Sequence, residues 1–356
     1  MTPVDSRTGK ICAIKSTAKS PIPENPPLEN PMHNADTPVK TACPQEKSNT
    51  RKDYRAAYAT ARVVMKNGCD SPKMLWIFGG LWGQSSGMNS LFDLSGEVSV
   101  VIGATGALGG AMARSLAAAG SAVAVCGRNA ERGARVCQVI MDAGGRAEFF
   151  SVDAALPESV SAVSREVSER LGSPTVLVNA AGGNDPKVTV TAEHPFETIT
   201  LPDWAASFDL NLIGGAVVPC QVFGPLFCAR GHGSIINVAS VSAHLPLSRV
   251  VAYSAAKAAT LSLTRFLARE WAPQGVRVNS ITPGFFPAEQ NRALLFEKDG
   301  SPTPRAQAIL DHTPMRRFGE AQELSGAAVF LASSRASGFV TGADLRVDGG
   351  FLAQTI

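Results

Sequence analysis

Short apolar runs alternate with longer amphipathic segments from about residue 91 to the end of the chain. The runs are rich in Val, Ile and Ala and stop at Gly, Pro, Asn or Asp, which is typical of strands buried on both faces of a sheet. Each run leads into a segment with helical periodicity, so the alternation predicts an α/β fold with a parallel sheet covered by helices on both faces. The predicted strands are Val98–Ile102, Ala122–Cys126, Ala147–Val152, Thr175–Val178, Ser234–Val238, Gly275–Ile281 and Leu345–Val347.

Residues 1–87 show no such alternation, and their first 50 positions are rich in Pro, Lys, Ser, Thr and Asn. Such a composition cannot bury enough apolar surface to offset the entropy of ordering, so we expect a disordered or non-catalytic extension. The alternative is an organelle-targeting segment, but the acidic residues within the first 40 positions argue against it. The sequence therefore predicts an extension over residues 1–87 and a single domain over residues 88–356.

Charge and composition exclude several classes of partner. The formal net charge is +3, and residues 1–87 hold 12 Lys and Arg against 7 Asp and Glu, which leaves 21 against 23 for the domain. We therefore expect no nucleic-acid partner, and only the basic balance of residues 1–87 supports nucleic-acid binding as an alternative. The seven cysteines form no C-x-x-C or metal-ligand spacing, so we expect no bound metal. Cys126, Cys137, Cys220 and Cys228 lie in apolar surroundings, which indicates core residues in a reducing cytoplasm. No apolar stretch has the length of a membrane span, so we also expect no membrane contact.

A glycine-rich turn follows the first predicted strand. Residues 103–109 read G-A-T-G-A-L-G and lead into a predicted helix over Ala111–Ala119. Glycines let the backbone approach a pyrophosphate, and a helix N-terminus offers N–H donors and the positive end of its dipole. The order of strand, glycine turn and helix therefore predicts a dinucleotide site in a Rossmann-type, doubly wound fold.

The end of the second predicted strand bears on which dinucleotide binds. NAD-binding folds often place an acidic residue there to hold the ribose 2′-hydroxyl, but here Gly127 is followed by Arg128. An arginine can pair with a 2′-phosphate, and the missing carboxylate removes a repulsion. The sequence thus favours NADP(H) over NAD(H), with an exposed turn residue as the alternative interpretation of Arg128.

A serine, a tyrosine and a lysine form the candidate catalytic group. Tyr253 and Lys257 are four residues apart, so they share one face of a helix. An ammonium near a phenol favours the phenolate, which lowers the tyrosine pKa and makes the phenol a useful acid or base near neutral pH. Ser240 follows a predicted buried strand, thirteen residues before Tyr253, and can face it. A Tyr-x-x-x-Lys pair alone is mostly coincidental, and the upstream glycine turn is what makes a catalytic role the better interpretation.

The candidate residues share one position in the predicted fold. Ligands of open parallel sheets bind beyond the carboxyl ends of the strands. We therefore expect one site built from the residues at these ends, which are Gly103, Arg128, Asp153, Asn179, Ser240 and Pro283.

Taken together, these residues resemble the short-chain dehydrogenase/reductase family over about residues 91–356. The glycine turn, Asn179-Ala180-Ala181-Gly182, Tyr253-x-x-x-Lys257, Pro283-Gly284 and Val347-Asp348-Gly349-Gly350 carry the resemblance. It implies an NAD(P)-dependent oxidoreductase that interconverts a ketone and a secondary alcohol by hydride transfer. It also implies assembly as a homodimer or homotetramer.

The resemblance further implies a role for each catalytic residue. Tyr253 would protonate the carbonyl oxygen during reduction and act as the base in oxidation. Lys257 would lower the tyrosine pKa and hold the nicotinamide ribose. Ser240 would orient and polarise the carbonyl, and Asn211 would hold a water in a proton relay to Lys257.

The family likewise implies a set of cofactor contacts. Asp153 would meet the adenine, and Asn179 would border the adenosine ribose. The whole implied set is Gly103, Thr105, Gly106, Leu108, Gly109, Arg128, Asn129, Asp153, Ala154, Asn179, Ala180, Tyr253, Lys257, Pro283 and Gly284. Three residues depart from the usual family pattern at the phosphate and nicotinamide contacts: Ile102, Ala107 and Ala288.

A narrower resemblance is to the D-mannonate oxidoreductase (fructuronate reductase) branch of the family. It is carried by the runs over residues 283–295, 312–320 and 337–342. That branch reduces a keto sugar acid, which needs partners for hydroxyls and for a carboxylate. The implied substrate contacts are Ser240, Arg249, Gln290, Asn291 and Arg292, whereas His194, His244 and His312 are expected to pack or to face solvent.

Two alternatives stay open at this point. The same chemistry could serve another substrate, such as gluconate, a cyclitol or a 3-oxoacyl group. The chain could also be a non-catalytic nucleotide-binding sensor, although a sensor would not need Asn211, Ser240, Tyr253 and Lys257 together.

Overall fold

A computed structural model of the chain describes residues 90–355. The predicted extension over residues 1–87 lies outside the described residues, so its disorder stays a prediction.

Seven parallel strands form one sheet in the order β3-β2-β1-β4-β5-β6-β7. The order reverses between β1 and β4, which creates the crevice where ligands of doubly wound sheets bind. The strands are β1 (Val98–Ile102), β2 (Ala122–Gly127), β3 (Arg146–Ser151), β4 (Val176–Asn179), β5 (Gly233–Val238), β6 (Val276–Pro283) and β7 (Asp344–Val347). The predicted Rossmann-type fold is thus confirmed, and each predicted strand is present.

Helices cover both faces of the sheet, as the alternation predicts. They are α1 (Ala107–Ala118), α2 (Ala130–Asp142), α3 (Pro157–Arg170), α4 (Leu201–Phe208), α5 (Val218–Arg230), α6 (Val251–Trp271), α7 (Arg292–Leu295), α8 (Pro304–His312), α9 (Ser325–Ala332) and α10 (Ser334–Ser337). A π-helical segment over Asp209–Val217 joins α4 to α5 without a break.

Two buried clusters form the core, one on each face of the sheet. One contains Met112 and Leu116 of α1 with Leu331 of α9. The other contains Val163 of α3 with Phe223 of α5. Every residue of β1, β4, β5 and β6 is buried, as expected for central parallel strands.

The continuous helix over Leu201–Arg230 corrects the statement that no apolar stretch has membrane-spanning length. It is 30 residues long with a mean hydropathy of 1.7 in its most apolar window, and half of that window is buried within the protein. Phe223 and Phe227 on this helix are completely buried in the core. The apolar composition of the helix is therefore accounted for by its packing against the sheet.

The beginning and the end of the described domain are held together. Arg335 Nη1 donates to the Ser90 carbonyl at 2.9 Å, and the Ser333 hydroxyl donates to the Leu91 carbonyl. The first residues of the described domain are therefore held against a segment close to its last strand.

Candidate active site

The glycine turn forms a backbone cradle that side chains would fill. Gly103 has φ +87°, and a Cβ on it would lie 2.5 Å from the Ala181 nitrogen. A Cβ on Gly109 would lie 2.4 Å from the Gly103 carbonyl oxygen. Gly106 precedes α1, and no side chain caps the helix there. Free N–H groups and missing side chains at one helix N-terminus fit a pyrophosphate.

The turn after β2 carries two candidate cofactor contacts, Arg128 and Asn129, whose side chains have different environments. Arg128 is exposed and available to a ligand. The Asn129 side chain instead accepts the Arg132 backbone N–H at 2.8 Å and thereby starts α2. A carboxamide that caps a helix has less capacity for a cofactor, so Arg128 is the stronger candidate of the two.

The turn after β3 carries Asp153 and Ala154. Asp153 is exposed, and its carboxylate accepts the Ala155 N–H at 3.1 Å. Its other oxygen has no hydrogen bond among those of the described residues, so it can accept one from an adenine amino group. A Cβ on Gly214 would lie 2.8 Å from the Ala155 nitrogen, so the π-helical segment packs directly against this turn.

Asn179 ends β4, where the contact with the adenosine ribose is predicted. Its side chain is completely buried and donates to Asn237 Oδ1 at 2.9 Å. Its own Oδ1 is buried without a hydrogen-bond partner. A ribose at this strand end would therefore contact the main chain of Asn179 and Ala180. Burial beneath the strand end is not visible in the sequence, where Asn179 simply follows an apolar run.

Ser240 and Tyr253 come together, as predicted. Ser240 precedes the 3-10 turn over Val241–Ala243, and its hydroxyl forms a side-chain hydrogen bond with Tyr253. Ser242, which the sequence analysis missed, donates to Ser240 Oγ from its backbone at 3.2 Å and lies 3.1 Å away through its hydroxyl. These contacts fix the orientation of the Ser240 hydroxyl. The i, i+2 spacing of two serines beyond a strand end was the available signal.

Lys257 is buried, with only 3% of its surface exposed. Its ammonium donates to the Val238 carbonyl at 2.9 Å and lies 5.8 Å from the centre of the Tyr253 ring. Burial lowers the pKa of Lys257 from 10.5 to about 8. The predicted pairing of tyrosine and lysine on one helix face is therefore observed in α6.

Burial also raises the pKa of Tyr253, while the hydrogen bond with Ser240 acts in the opposite direction. This net direction is opposite to the lowering that the sequence analysis expects from Lys257. The reason is that desolvation disfavours the phenolate more strongly than the polar neighbours favour it. At neutral pH the phenol is protonated, which is the state that can donate a proton.

Asn211 lies on the π-helical segment and is completely buried. Its amide donates to the carbonyls of Gly183 and Ser207, each at 2.9 Å, and its Oδ1 accepts the Gly183 N–H at 2.8 Å. A Cβ on Gly182 would lie 2.8 Å from Asn211 Oδ1 and 3.2 Å from Lys257 Nζ. Both groups therefore face the same point, and a side chain at Gly182 would separate them. The pattern Ala181-Gly182-Gly183 was the sequence signal for this close approach.

The end of β6 lies next to the serine turn, which is Ser240 together with the 3-10 turn over Val241–Ala243. Pro283 ends the strand, and the Gly284 N–H donates to the Val347 carbonyl at 3.0 Å. His244 Nε2 lies 3.1 Å from Asp344 Oδ2, and Asp344 Oδ1 accepts from the Thr282 hydroxyl at 2.7 Å. His244 thus packs in a polar cluster, as expected, and this cluster links the serine turn to the Pro283 turn.

The predicted substrate residues divide into two groups. The Asn291 side chain accepts the Ala288 N–H at 2.7 Å and donates to the Phe286 carbonyl at 3.0 Å, so it stabilises its own turn. Its role as a substrate contact is not supported by this geometry. Arg292 is exposed and lies 5.5 Å from the Phe296 ring centre, and Gln290 lies in the 3-10 turn over Glu289–Asn291. Arg249 is exposed, four residues before Tyr253.

Within residues 90–355, no group of three or more His, Cys, Asp or Glu side chains is arranged to hold a metal ion.

Known proteins show the same combination of sequence and fold. The family model described as enoyl-(acyl carrier protein) reductase, a short-chain dehydrogenase model, matches residues 103–352. An uncharacterized oxidoreductase of Haemophilus influenzae is 38% identical over 273 residues, which cover 74% of this chain and 95% of that protein.

Two solved structures are also similar. One, provisionally described as a D-mannonate oxidoreductase from Haemophilus influenza with bound NAD, has a TM-score of 0.70 and 35% identity, and the match covers 75% of this chain and 99% of that one. The other is a gluconate 5-dehydrogenase from Burkholderia cenocepacia in complex with NADP and tartrate, with a TM-score of 0.67 and 34% identity over 75% and 100% of the two chains.

The chain belongs to the short-chain dehydrogenase/reductase family. It is an NAD(P)-dependent oxidoreductase that acts on CH–OH groups, and its relatives include enzymes of sugar acids. These matches leave no support for a non-catalytic sensor.

Proposed function

We propose that the enzyme interconverts a ketone and a secondary alcohol on a sugar acid of the D-fructuronate/D-mannonate type. The observation that carries this proposal is the convergence of Ser240, Tyr253 and Lys257 at the carboxyl edge of the sheet, beside the glycine cradle. The similarity of two sugar-acid oxidoreductase structures supports the substrate class.

A nicotinamide cofactor, when bound, would supply or accept the hydride, and the protein's own residues would position the groups around the reacting carbon. During reduction, the Tyr253 phenol donates its proton to the carbonyl oxygen. Its raised pKa keeps it protonated at neutral pH, which suits this direction. The Ser240 hydroxyl, oriented by Ser242, hydrogen-bonds the same oxygen and holds the carbonyl in line with the tyrosine.

Lys257 and Asn211 support the proton supply. The Lys257 ammonium has two N–H groups beyond its bond to Val238, and these can hold a ribose hydroxyl near Tyr253. Both amide hydrogens of Asn211 are donated to carbonyls, so its side chain can bind a water only through the second lone pair of Oδ1. Main-chain carbonyls of the π-helical segment are the other acceptors for such a water. A water there would connect Lys257 to solvent and restore the proton of Tyr253.

For the coenzyme we propose a preference for NADP(H). Arg128 supports this preference because it is exposed at the end of β2, where no carboxylate from Gly127 opposes a 2′-phosphate.

We further propose a homodimer or homotetramer in a reducing cytoplasm, with residues 1–87 as a non-catalytic extension. The large exposed side chains of Leu226, Phe266 and Phe339 support self-association, since covering them removes apolar surface from water. Cys126, Cys137, Cys220 and Cys228 are all free thiols, which fits a reducing compartment. Light scattering during size exclusion measures the assembly, and a monomer at micromolar concentration would contradict it.

The experiment that tests the function is the loss of nicotinamide absorbance with NADPH and NADH against a panel of ketones. The panel contains fructuronate, keto forms of gluconate, a cyclic ketone and a 3-oxoacyl ester. Rapid turnover of fructuronate supports the proposal. A preference for another ketone would keep the chemistry and remove the substrate. No turnover with any carbonyl, by a folded protein that binds cofactor, would remove the function.

A further inference from the structure

Arg249 has an unusual backbone conformation beside the catalytic helix. Its φ is +74°, and among the described residues the only other non-glycine residue with positive φ is Arg316. A side chain in this region costs free energy, so such residues persist where the surrounding structure enforces them. The Arg249 carbonyl accepts the Val190 N–H at 2.9 Å, which ties this conformation to the loop after β4. The backbone from which the guanidinium extends is thus held in place four residues before Tyr253.

Arg305 of α8 approaches the same stretch from another part of the chain. Its Nη1 donates to the Ser248 hydroxyl at 3.2 Å, and Ser248 is the neighbour of Arg249. The adjacent residue Ala306 is completely buried in a cluster that includes Val241 of the serine turn. The helix that carries Arg305 is therefore anchored to the turn that carries Ser240.

The two arginines repel each other and lack an anionic partner. Burial, followed by the positive charge of Arg249, lowers the pKa of Arg305. Neither guanidinium is in an ion pair with a carboxylate among residues 90–355. The exposed Glu193 is the acid whose charge interacts with Arg249. The charge of Arg249 is the weakest of the influences that lower the pKa of Glu193. Two like charges held near each other are stabilised when an anion binds between them.

We propose that Arg305 and Arg249 together bind the carboxylate of the substrate. This inference rests on the proposed function and adds the group that recognises the acid. A guanidinium presents parallel N–H donors that match the two oxygens of a carboxylate, and a second guanidinium can take the remaining lone pairs. Because both arginines flank the segment that leads into Tyr253, the bound carboxylate would fix the far end of the substrate relative to the reacting carbonyl. Arg305 thus becomes a specificity-determining residue for acids over neutral sugars.

The test compares a keto sugar acid with the neutral keto sugar of the same carbon length. The variants are Arg305→Gln, Arg249→Gln and Arg305→Lys, with Arg316→Gln as the matched control because Arg316 also has positive φ but is paired with Asp311. We expect each Gln variant to lower kcat/KM for the acid by about 10- to 100-fold, mainly through KM, as for loss of a charge-assisted hydrogen bond. The neutral sugar should change by less than about threefold, Arg305→Lys should keep part of the activity, and Arg316→Gln should behave as wild type.

Equal losses for the acid and the neutral sugar would overturn the proposal, as would unchanged kinetics with the acid. A second measurement does not depend on turnover: calorimetric binding of tartrate to the protein with NADPH. Binding that weakens at least tenfold in both Gln variants supports the arginine pair even if no carbonyl is reduced. A wild-type protein that reduces neutral ketones but binds no tartrate would keep the oxidoreductase function and remove the arginine pair.

Discussion

Tyr253 combines two features that a phenol in water lacks: burial that raises its pKa, and a hydrogen bond with a serine that is itself held by Ser242. Replacing Tyr253 by Phe removes the transferable proton and little else. We expect turnover to fall by at least about 100-fold, the usual share of general acid catalysis, while the affinity for NADPH changes by less than about threefold. Stopped-flow fluorescence of bound NADPH and steady-state rates measure the two effects. Substantial remaining activity would remove Tyr253 from its role.

Lys257 makes stability depend on pH. Its pKa is about 8 in the folded protein against 10.5 as its ordinary value. Below pH 8 both states hold the proton, and between pH 8 and 10.5 only the unfolded chain does, so the free energy of unfolding rises with pH in that window. We expect wild type to gain about 2 kcal/mol over Lys257→Met between pH 8 and 9.5, because each pKa unit is worth about 1.4 kcal/mol.

Denaturant unfolding of both proteins at several pH values gives this difference, and subtraction cancels all other titrating groups. A difference that stays flat across pH 8 to 9.5 would show that Lys257 keeps its ordinary pKa in the folded protein.

Arg128 governs the choice of coenzyme in our proposal. Arg128→Asp would replace a partner of the 2′-phosphate by a charge that repels it and that can accept from a free 2′-hydroxyl. We expect the ratio of kcat/KM for NADPH over NADH to fall by about 100-fold, as for loss of one charge-assisted contact with added repulsion. Arg132→Asp is the control, since Arg132 is already paired with Glu289. An equal change in both variants would contradict a specific contact.

For single residues, the sequence predicted which residues lie at the site better than it predicted the role of each side chain. Ser240, Tyr253 and Lys257 could be placed because spacing on a helix and at a strand end determines their directions. Asn179, Asn129 and Asn291 could not, because a carboxamide serves a cap, a turn or a buried bond equally well. Arg305 gave no sequence signal for the role that we propose, since its helix lies about 50 residues after Tyr253 along the chain.

Among the elements, the turn between β1 and α1 shows why two of its glycines are not interchangeable. A Cβ on Gly109 would lie 2.4 Å from the Gly103 carbonyl oxygen, whereas one on Gly106 would lie at an ordinary 3.4 Å. We expect Gly109→Ala to lower the free energy of unfolding by about 1–3 kcal/mol through overpacking against the backbone. Gly106→Ala should leave stability within about 0.5 kcal/mol, because its side chain meets no close atom.

Thermal unfolding without and with NADPH separates the effects of these two changes. Gly109→Ala should unfold earlier in both conditions. Gly106→Ala, if the turn cradles the pyrophosphate, should lose the stabilisation by NADPH while it keeps the stability of the free protein. Equal stability of the two free variants would contradict the steric argument.

Elements were predicted well, since every strand follows from an apolar run bounded by turn residues. Some elements begin at other residues than predicted, and the reason can be identified. Helix α1 begins at Ala107 and not at Ala111, because the last glycines of the turn are already helical. The π-helical segment over Asp209–Val217 had no sequence signal, since the same apolar residues would equally form a regular α-helix.

For the whole molecule, the domain that the structure describes from residue 90 contains every residue of the proposed site. The similar Haemophilus influenzae oxidoreductase is matched over 95% of its length by 74% of this chain. A chain that starts at Met88 should therefore keep kcat and the KM values for coenzyme and ketone within about twofold, because changes away from a functional site usually have small effects. Parallel assays of the full and shortened proteins measure this. A large loss of activity in a shortened protein that is still folded would give the extension a catalytic role.

The carbonyl of Leu91 accepts from Ser333, and the carbonyl of Ser90 accepts from Arg335. During synthesis, the first residues of the domain therefore cannot form these hydrogen bonds until almost the whole domain has been made. On the ribosome, at 5–20 residues per second, that interval is on the order of 10–50 s. Strand β1 also waits for β4 on one side, and during this time unpaired apolar edges are exposed to other chains. The yield of soluble enzyme in a cell should therefore depend more on protection of the nascent chain than on the stability of the finished domain.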